Sequence, residues 1–171
     1  LTRLAVTLQF TLPGVPVIYY GEENGMEGGN DPANRAPMVW DEAGWHPGIR
    51  AHTKTLIALR RARPELRRGR FVNLTAHLEP PDANVIAFYR ATDTPGEFSL
   101  ALVNRDNRRR TATFFVPYAH LYGGLQLMDI LGGHKPVDAA ARLAVTLEPQ
   151  AAALYVPQET RLPHFHFYKG R

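Results

Sequence analysis

The chain has 171 residues, 44% of them hydrophobic and 21% charged, a balance that excludes intrinsic disorder and allows one domain, or one small domain plus part of another. No apolar run approaches the ~20 residues that span a bilayer, so no membrane partner is expected. The lack of cysteine excludes disulfides and thiolate ligands, and the net charge of +4 rests on 20 basic against 16 acidic residues.

Residues 1–12 read as the end of an amphipathic helix, with Leu1, Leu4, Ala5 and Leu8 at helical spacing and Pro13-Gly14 as the stop. The opening has neither the basic start nor the small-residue site of a signal peptide, and a helix already under way at Leu1 is expected to continue an earlier part of a longer protein. Residues 15–20 follow as an apolar strand that stops at Gly21, with Glu22 and Glu23 at its C-terminal end. A Gly-, Asn- and Pro-rich loop then runs to about residue 46 and carries Asp31 and Arg35. A second helix is expected over 47–62, because Pro47 suits a first turn and Pro64 ends it. Its apolar side is Ile49, Leu56, Ile57 and Leu59, with Arg50, Lys54 and Arg61 elsewhere. Helix, strand, loop, helix is one and a half units of a β/α repeat, too little to close a barrel.

From about residue 70 the hydrophobic period becomes two. Runs at 71–76, 84–90, 98–103, 111–116, 125–130, 143–147 and 151–156 have strand character, separated by turn signals such as Pro80-Pro81-Asp82 and Gly132-Gly133. Phe98, Leu100 and Leu102 share one face, as do Leu143, Val145 and Leu147. The expected fold is therefore α/β followed by all-β: an end of a barrel over 1–69, a small antiparallel β-sandwich over 70–157, and a tail over 158–171 without a strong pattern. The arginine groups at 60–63, 67–70 and 108–110 fall at a helix end and a hairpin turn, where solvated side chains are expected. Without interleaved aromatics or a reading module they predict no nucleic-acid partner.

A strand that delivers polar groups from its C-terminal end into a long loop is how α/β barrels build active sites. Asp31 can accept and Arg35 donate hydrogen bonds to sugar hydroxyls, and together they can fix one pyranose ring. The same pair serves equally as a loop-stabilising ion pair without a ligand. Trp40 lies beside this loop and offers a flat face for a sugar, whereas Tyr19 and Tyr20 should alternate across the strand. Glu22 and Glu23 invite an acid-and-nucleophile reading, but neighbours on a strand point to opposite faces and cannot address one anomeric carbon. His164 and His166 could form half of a metal site, yet no third ligand lies nearby, and an aromatic patch that docks the tail is the plainer reading. The only serine, Ser99, lies inside a strand rather than a nucleophile elbow, and no phosphate-cradling loop is present.

The segment Gly14-Val-Pro-Val-Ile-Tyr-Tyr-Gly-Glu-Glu23, then Gly25-Met26 and Pro37-Met38-Val39-Trp40-Asp41, resembles the α-amylase family of glycoside hydrolases. The resemblance is strongest to the cyclomaltodextrinase, neopullulanase and maltogenic amylase branch. It is specific over residues 13–41 and architectural beyond them. It implies that the strand at 15–20 is the eighth and last of a (β/α)8 TIM barrel and that the sandwich is the C domain. It also implies that Asp31 and Arg35 hold a glucose on the non-reducing side of the cleavage point, with Trp40 in support, while Glu22, Glu23 and Tyr20 shape the barrel mouth. In that family the catalytic carboxylates come from the fourth, fifth and seventh strands, so none is expected here. The implied partners are an α-glucan oligosaccharide and the remainder of the barrel. No cofactor is implied, a calcium site of the parent enzyme is left open, and the resembled branch favours a cytoplasmic location.

Overall fold

The computed structural model describes residues 1–94, 96–116 and 126–158. Helix α1 (Thr2–Thr11) and helix α2 (Pro47–Ala62) match the expected bounds, and a short α3 (Pro64–Arg68) follows. Pro47 and Pro64 each open a helix, where a missing N–H removes nothing the first turn could use. The strands are β1 (Arg70–Asn73), β2 (Val85–Ala91), β3 (Phe98–Asn104), β4 (Arg110–Phe115), β5 (Gln126–Asp129), β6 (Val137–Asp138), β7 (Arg142–Leu147) and β8 (Ala152–Pro157). The two-residue β6 carries too short a pattern to be read from sequence, and the expected strand at 71–76 ends early because residues 75–77 form a 3₁₀ turn.

All the pairing among the described strands is antiparallel. A six-stranded sheet has the order β1-β2-β3-β8-β5-β6, and β4 and β7 form a second, two-stranded sheet. Their facing sides make the main core, where Phe98, Leu100 and Leu102 meet Phe114, Leu143, Val145 and Leu147. The outer face of the larger sheet is covered as well. Phe88, Ala101 and Leu154 pack there against Leu66, with Leu8, Leu12 and Leu59 of the helices around them. With both faces occupied, every residue of β3 is buried, which explains its near-continuous apolar run.

Two expectations need correction. Residues 15–20 are not a strand: they join no sheet, and Val15 and Val17 are 86% and 74% exposed. A strand is defined by its ladder, and among the described residues no strand flanks this one. The exposed Val15, Val17 and Tyr19 still alternate with the half-buried Pro16 and Ile18, so the period survives without the partners. The second correction concerns the arginines at 60–63. Arg61 is exposed, but Arg60 is buried and Arg63 half-buried, each bonded to backbone carbonyls. Position in the helix, not charge, decides this: Arg60 lies on the Ile49, Thr53 and Leu56 side of α2, whereas Ile57 is turned outward.

Candidate functional site

The site begins at Gly21. Its φ of +88° and the +76° of Gly25 are left-handed values that favour glycine, and the two bracket a 3₁₀ turn, Glu22–Asn24. A Cβ at residue 21 would overlap the Met26 sulfur, and one at residue 25 would lie 2.7 Å from the His46 Cβ. The N–H groups of Asn24 and Met26 both donate to the Gly21 carbonyl at 3.0 Å. Asn24 is buried; its carbonyl accepts from the His46 N–H at 2.8 Å, and its side-chain oxygen accepts from Arg50. His46 in turn caps α2 through Nδ1, which accepts from the Ile49 N–H at 3.4 Å. The start of the loop is thereby bolted to the start of α2.

Gly21→Ala should cost about 1–3 kcal/mol, from backbone strain plus overlap. Gly14 has φ +104° but no atom within 4 Å of an added Cβ, so Gly14→Ala should carry only the backbone part. Thermal melts of the two variants side by side check the difference.

Glu22 and Glu23 sit in this turn rather than on opposite faces of a strand, so their separation comes from the 3₁₀ rotation. The Glu22 carboxylate accepts from the Tyr19 N–H at 3.2 Å and is solvent-facing. One oxygen of Glu23 is buried with no hydrogen-bond partner among the described residues. The rings of Tyr19 and Tyr20 lie 4.7 Å apart at 41°, a tilted pair where alternation had placed them on opposite sides. Tyr20 Oη donates to the Ala36 carbonyl at 2.8 Å, tying the segment to the far side of the loop. Desolvation, and after it Tyr19, push the Tyr20 phenol above its ordinary value, so it remains a donor at neutral pH.

Arg35 closes a second 3₁₀ turn, Ala33–Arg35, that Asp31 precedes, and its guanidinium donates to Asp31 Oδ1. Their side chains are 66% and 63% exposed. So open a pair adds little to stability, about 0–1 kcal/mol, while its remaining donors and acceptors face solvent. Trp40 is 80% exposed. Trp45, by contrast, is structural: its indole N–H donates to the Val39 carbonyl at 2.8 Å, and Arg50 lies 4.1 Å above its ring. Tyr20 and Glu22 share a cleft of about 250 Å³ with Glu27, Gly28, Asn34 and Ala36. Asp31, Arg35, Trp40 and Glu23 do not line it, so the structure brings together only part of the set singled out from sequence.

Among the described residues no group of three or more His, Asp or Glu side chains could hold a metal ion, and no helix is long and apolar enough to cross a membrane. His120, His164 and His166 lie outside the described residues. Two further histidines have side-chain partners. His52 Nε2 is 2.8 Å from Thr7 Oγ1, and His134 Nδ1 is 2.8 Å from Asp129 Oδ2. The latter lie only five residues apart, a spacing that could have suggested them.

Residues 1–65 match the family model described as alpha amylase, catalytic domain. Among curated relatives, a cyclomaltodextrinase of Geobacillus thermopakistaniensis is 35% identical over 153 residues, which is 90% of this chain and 24% of that protein. Neopullulanase 2 of Thermoactinomyces vulgaris is 35% identical over 147 residues, 86% of this chain and 24% of its own length. A solved cyclomaltodextrinase structure superposes with a TM-score of 0.75 at 31% identity, over 91% of this chain and 25% of that one. The chain thus spans about a quarter of the length of the relatives it matches. The match to the catalytic-domain model ends at residue 65, and the antiparallel strands follow it. This chain belongs to the α-amylase family, in its cyclomaltodextrinase, neopullulanase and maltogenic amylase branch.

Proposed function

We propose that the chain is the C-terminal portion of a retaining α-glucan hydrolase, with residues 1–69 as the end of the catalytic barrel, 70–157 as the C-terminal sandwich and 158–171 as a tail. The substrates would be α-1,4-linked, and also α-1,6-linked, glucans of the maltodextrin, cyclodextrin or pullulan class. Asp31 and Arg35 position a glucose ring, Trp40 supports it, and Glu22, Glu23 and Tyr20 shape the mouth around them. The catalytic carboxylates come from the remainder of the barrel, which is also the chain's protein partner along residues 15–20. The observation that carries this reading is the Asp31–Arg35 pair. It is preorganised across a 3₁₀ turn, anchored through Tyr20 and Ala36, yet too exposed to matter much for stability. The names of the relatives, cyclomaltodextrinase and neopullulanase, supply the substrate class.

The test is to incubate the 171-residue chain with maltotriose and β-cyclodextrin, following product anomers and ligand binding by NMR. No turnover is expected. Asp31→Ala and Arg35→Ala should each weaken maltotriose binding about 10- to 100-fold, the equivalent of a charge-assisted hydrogen bond of about 1.5–3 kcal/mol. Turnover by this chain alone would overturn the proposal and make Glu22 and Glu23 the first carboxylates to replace. Binding that persists unchanged in Asp31→Ala would move the glucan contact to the sandwich and favour a non-catalytic binding module.

A further inference from the structure

Helix α1 ends with little help from its own sequence: the Leu12 N–H reaches only the Leu8 carbonyl, and Thr11 Oγ1 the Thr7 carbonyl. Its last turn contains no basic residue, and Pro13, just beyond, has no N–H to offer its open carbonyls. Two arginines from elsewhere fill this gap. Arg60, near the end of α2, donates to the Phe10 carbonyl at 2.6 Å, to Leu12 at 3.4 Å and to Gly14. Arg90, in strand β2 of the sandwich, donates to the Thr11 carbonyl at 3.0 Å and to Leu66 at 3.1 Å. Its other nitrogens reach Gly69 at 2.8 and 3.2 Å. Four stations of the chain, Phe10, Thr11, Leu12 and Gly14, are thus held by two guanidinium forks.

Neither arginine has an ion-pair partner among the described residues, and Arg90 is only 2% exposed. Burial, followed by the charge of Arg60, draws the Arg90 guanidinium below its ordinary value, and Glu65 opposes the shift. A buried cation without a paired carboxylate is unfavourable, and an apolar side chain beside Phe88 and Leu66 would satisfy the core. What the apolar chain could not do is bind carbonyls at the negative end of α1.

The position of this clamp gives it consequences for the loop. Residues 15–20 have no ladder among the described residues, so within this chain the segment is held by its two ends, by Gln9, whose amide donates to the Val17 carbonyl, and by Tyr20, whose hydroxyl donates to the Ala36 carbonyl across the loop. One end is the Gly21 turn bolted to α2, and the other is the Phe10–Gly14 stretch held by Arg60 and Arg90. We infer that Arg60 and Arg90 are positioning residues for the loop that carries Asp31 and Arg35, and that through Arg90 the sandwich sets where a glucan is held. This inference rests on the glucan-binding role proposed above only for its last step.

The experiment compares Arg60→Met, Arg90→Met and Arg90→Lys in the 171-residue chain. It follows amide hydrogen exchange at Leu12, Glu22 and Asn24, with maltotriose affinity as a second readout. The reporter amides are bonded to the Leu8, Tyr19 and Gly21 carbonyls, on either side of the unpaired segment. Leu147→Ala is the control, a core truncation on the far sheet that destabilises without touching the clamp. Both methionine variants should speed exchange at the three reporters about tenfold or more relative to β3, with partial rescue in Arg90→Lys, while Leu147→Ala leaves that ratio unchanged. Wild-type ratios in the methionine variants, or an equal rise in Leu147→Ala, would overturn the inference. Should Arg90→Met fail to fold, Arg60→Met and Arg90→Lys decide it in the same way. If the unaltered chain does not bind maltotriose, the glucan reading falls, while the exchange ratios still decide whether the arginines place the loop.

Discussion

Truncation of Phe114 to alanine should destabilise the chain by about 3–5 kcal/mol. Phe114 is fully buried in β4, opposite Leu143 of β7, and its ring enters the core beneath Phe98, Leu100 and Leu102. The reason for so large an effect lies in the topology. The β4–β7 sheet shares no ladder with the six-stranded sheet, so it is held by apolar burial and by a few bonds at its margins. They include Glu79 N–H to the Thr113 carbonyl at 2.8 Å, Asn104 Nδ2 to the Arg108 and Glu148 carbonyls at 2.7 and 2.9 Å, and the ion pairs of Arg110 with Asp82 and Arg142 with Glu79. A cavity at Phe114 therefore weakens the principal bond between two layers. Urea unfolding checks it: a midpoint lower by roughly 1–3 M with an unchanged slope is expected, on a slope of about 2 kcal/mol/M. A loss below about 1 kcal/mol would mean that the small sheet does not close the sandwich in solution.

How much of this was legible in the sequence depended on whether a residue's partners were close in the chain. The alternation of Phe98, Leu100 and Leu102, and of Leu143, Val145 and Leu147, reported a buried sheet face directly, because period two is set by the backbone itself. The bounds of α1 and α2 followed from proline chemistry. The loop from Gly21 to Trp40 was legible through a family motif, and Gly21 and Gly25 then proved to be where a positive φ requires glycine. Three things were not legible. Residues 15–20 have the apolar run of a barrel strand, but a ladder belongs to the neighbours, and sequence cannot show whether they are there. Arg60 and Arg63 look like any surface cluster, since the carbonyls that bind them lie 33 to 50 residues away. Arg90 ends the run read as a strand over 84–90, where nothing local marks its burial, yet it is among the most buried side chains.

Glu65 is the sharpest case of such non-local chemistry, and its removal is the other large effect expected. It is fully buried at the start of α3, where its carboxylate accepts from Arg63 Nε at 2.6 Å and from Ser99 Oγ of β3. Arg63 also donates to the Phe98 carbonyl at 2.9 Å, so helix, carboxylate, guanidinium and sheet are one network. Glu65→Ala strands Arg63, 17% exposed, without its counter-charge, and leaves Ser99 without its acceptor. It also removes a carboxylate that favours the charged form of Arg90. Breaking a buried pair from one side costs about 3–5 kcal/mol, because the remaining charge is still desolvated. Replacing both partners by apolar side chains of similar size does not incur that penalty. Glu65→Leu combined with Arg63→Met should therefore recover most of the stability lost in Glu65→Ala, to within about 1–2 kcal/mol of the unaltered chain. A double variant no more stable than Glu65→Ala would show that the carboxylate acts through Ser99 and the Arg90 clamp, not through its pairing with Arg63. Equilibrium unfolding of Glu65→Leu, of Arg63→Met and of the double variant, closed as a mutant cycle, measures that division directly.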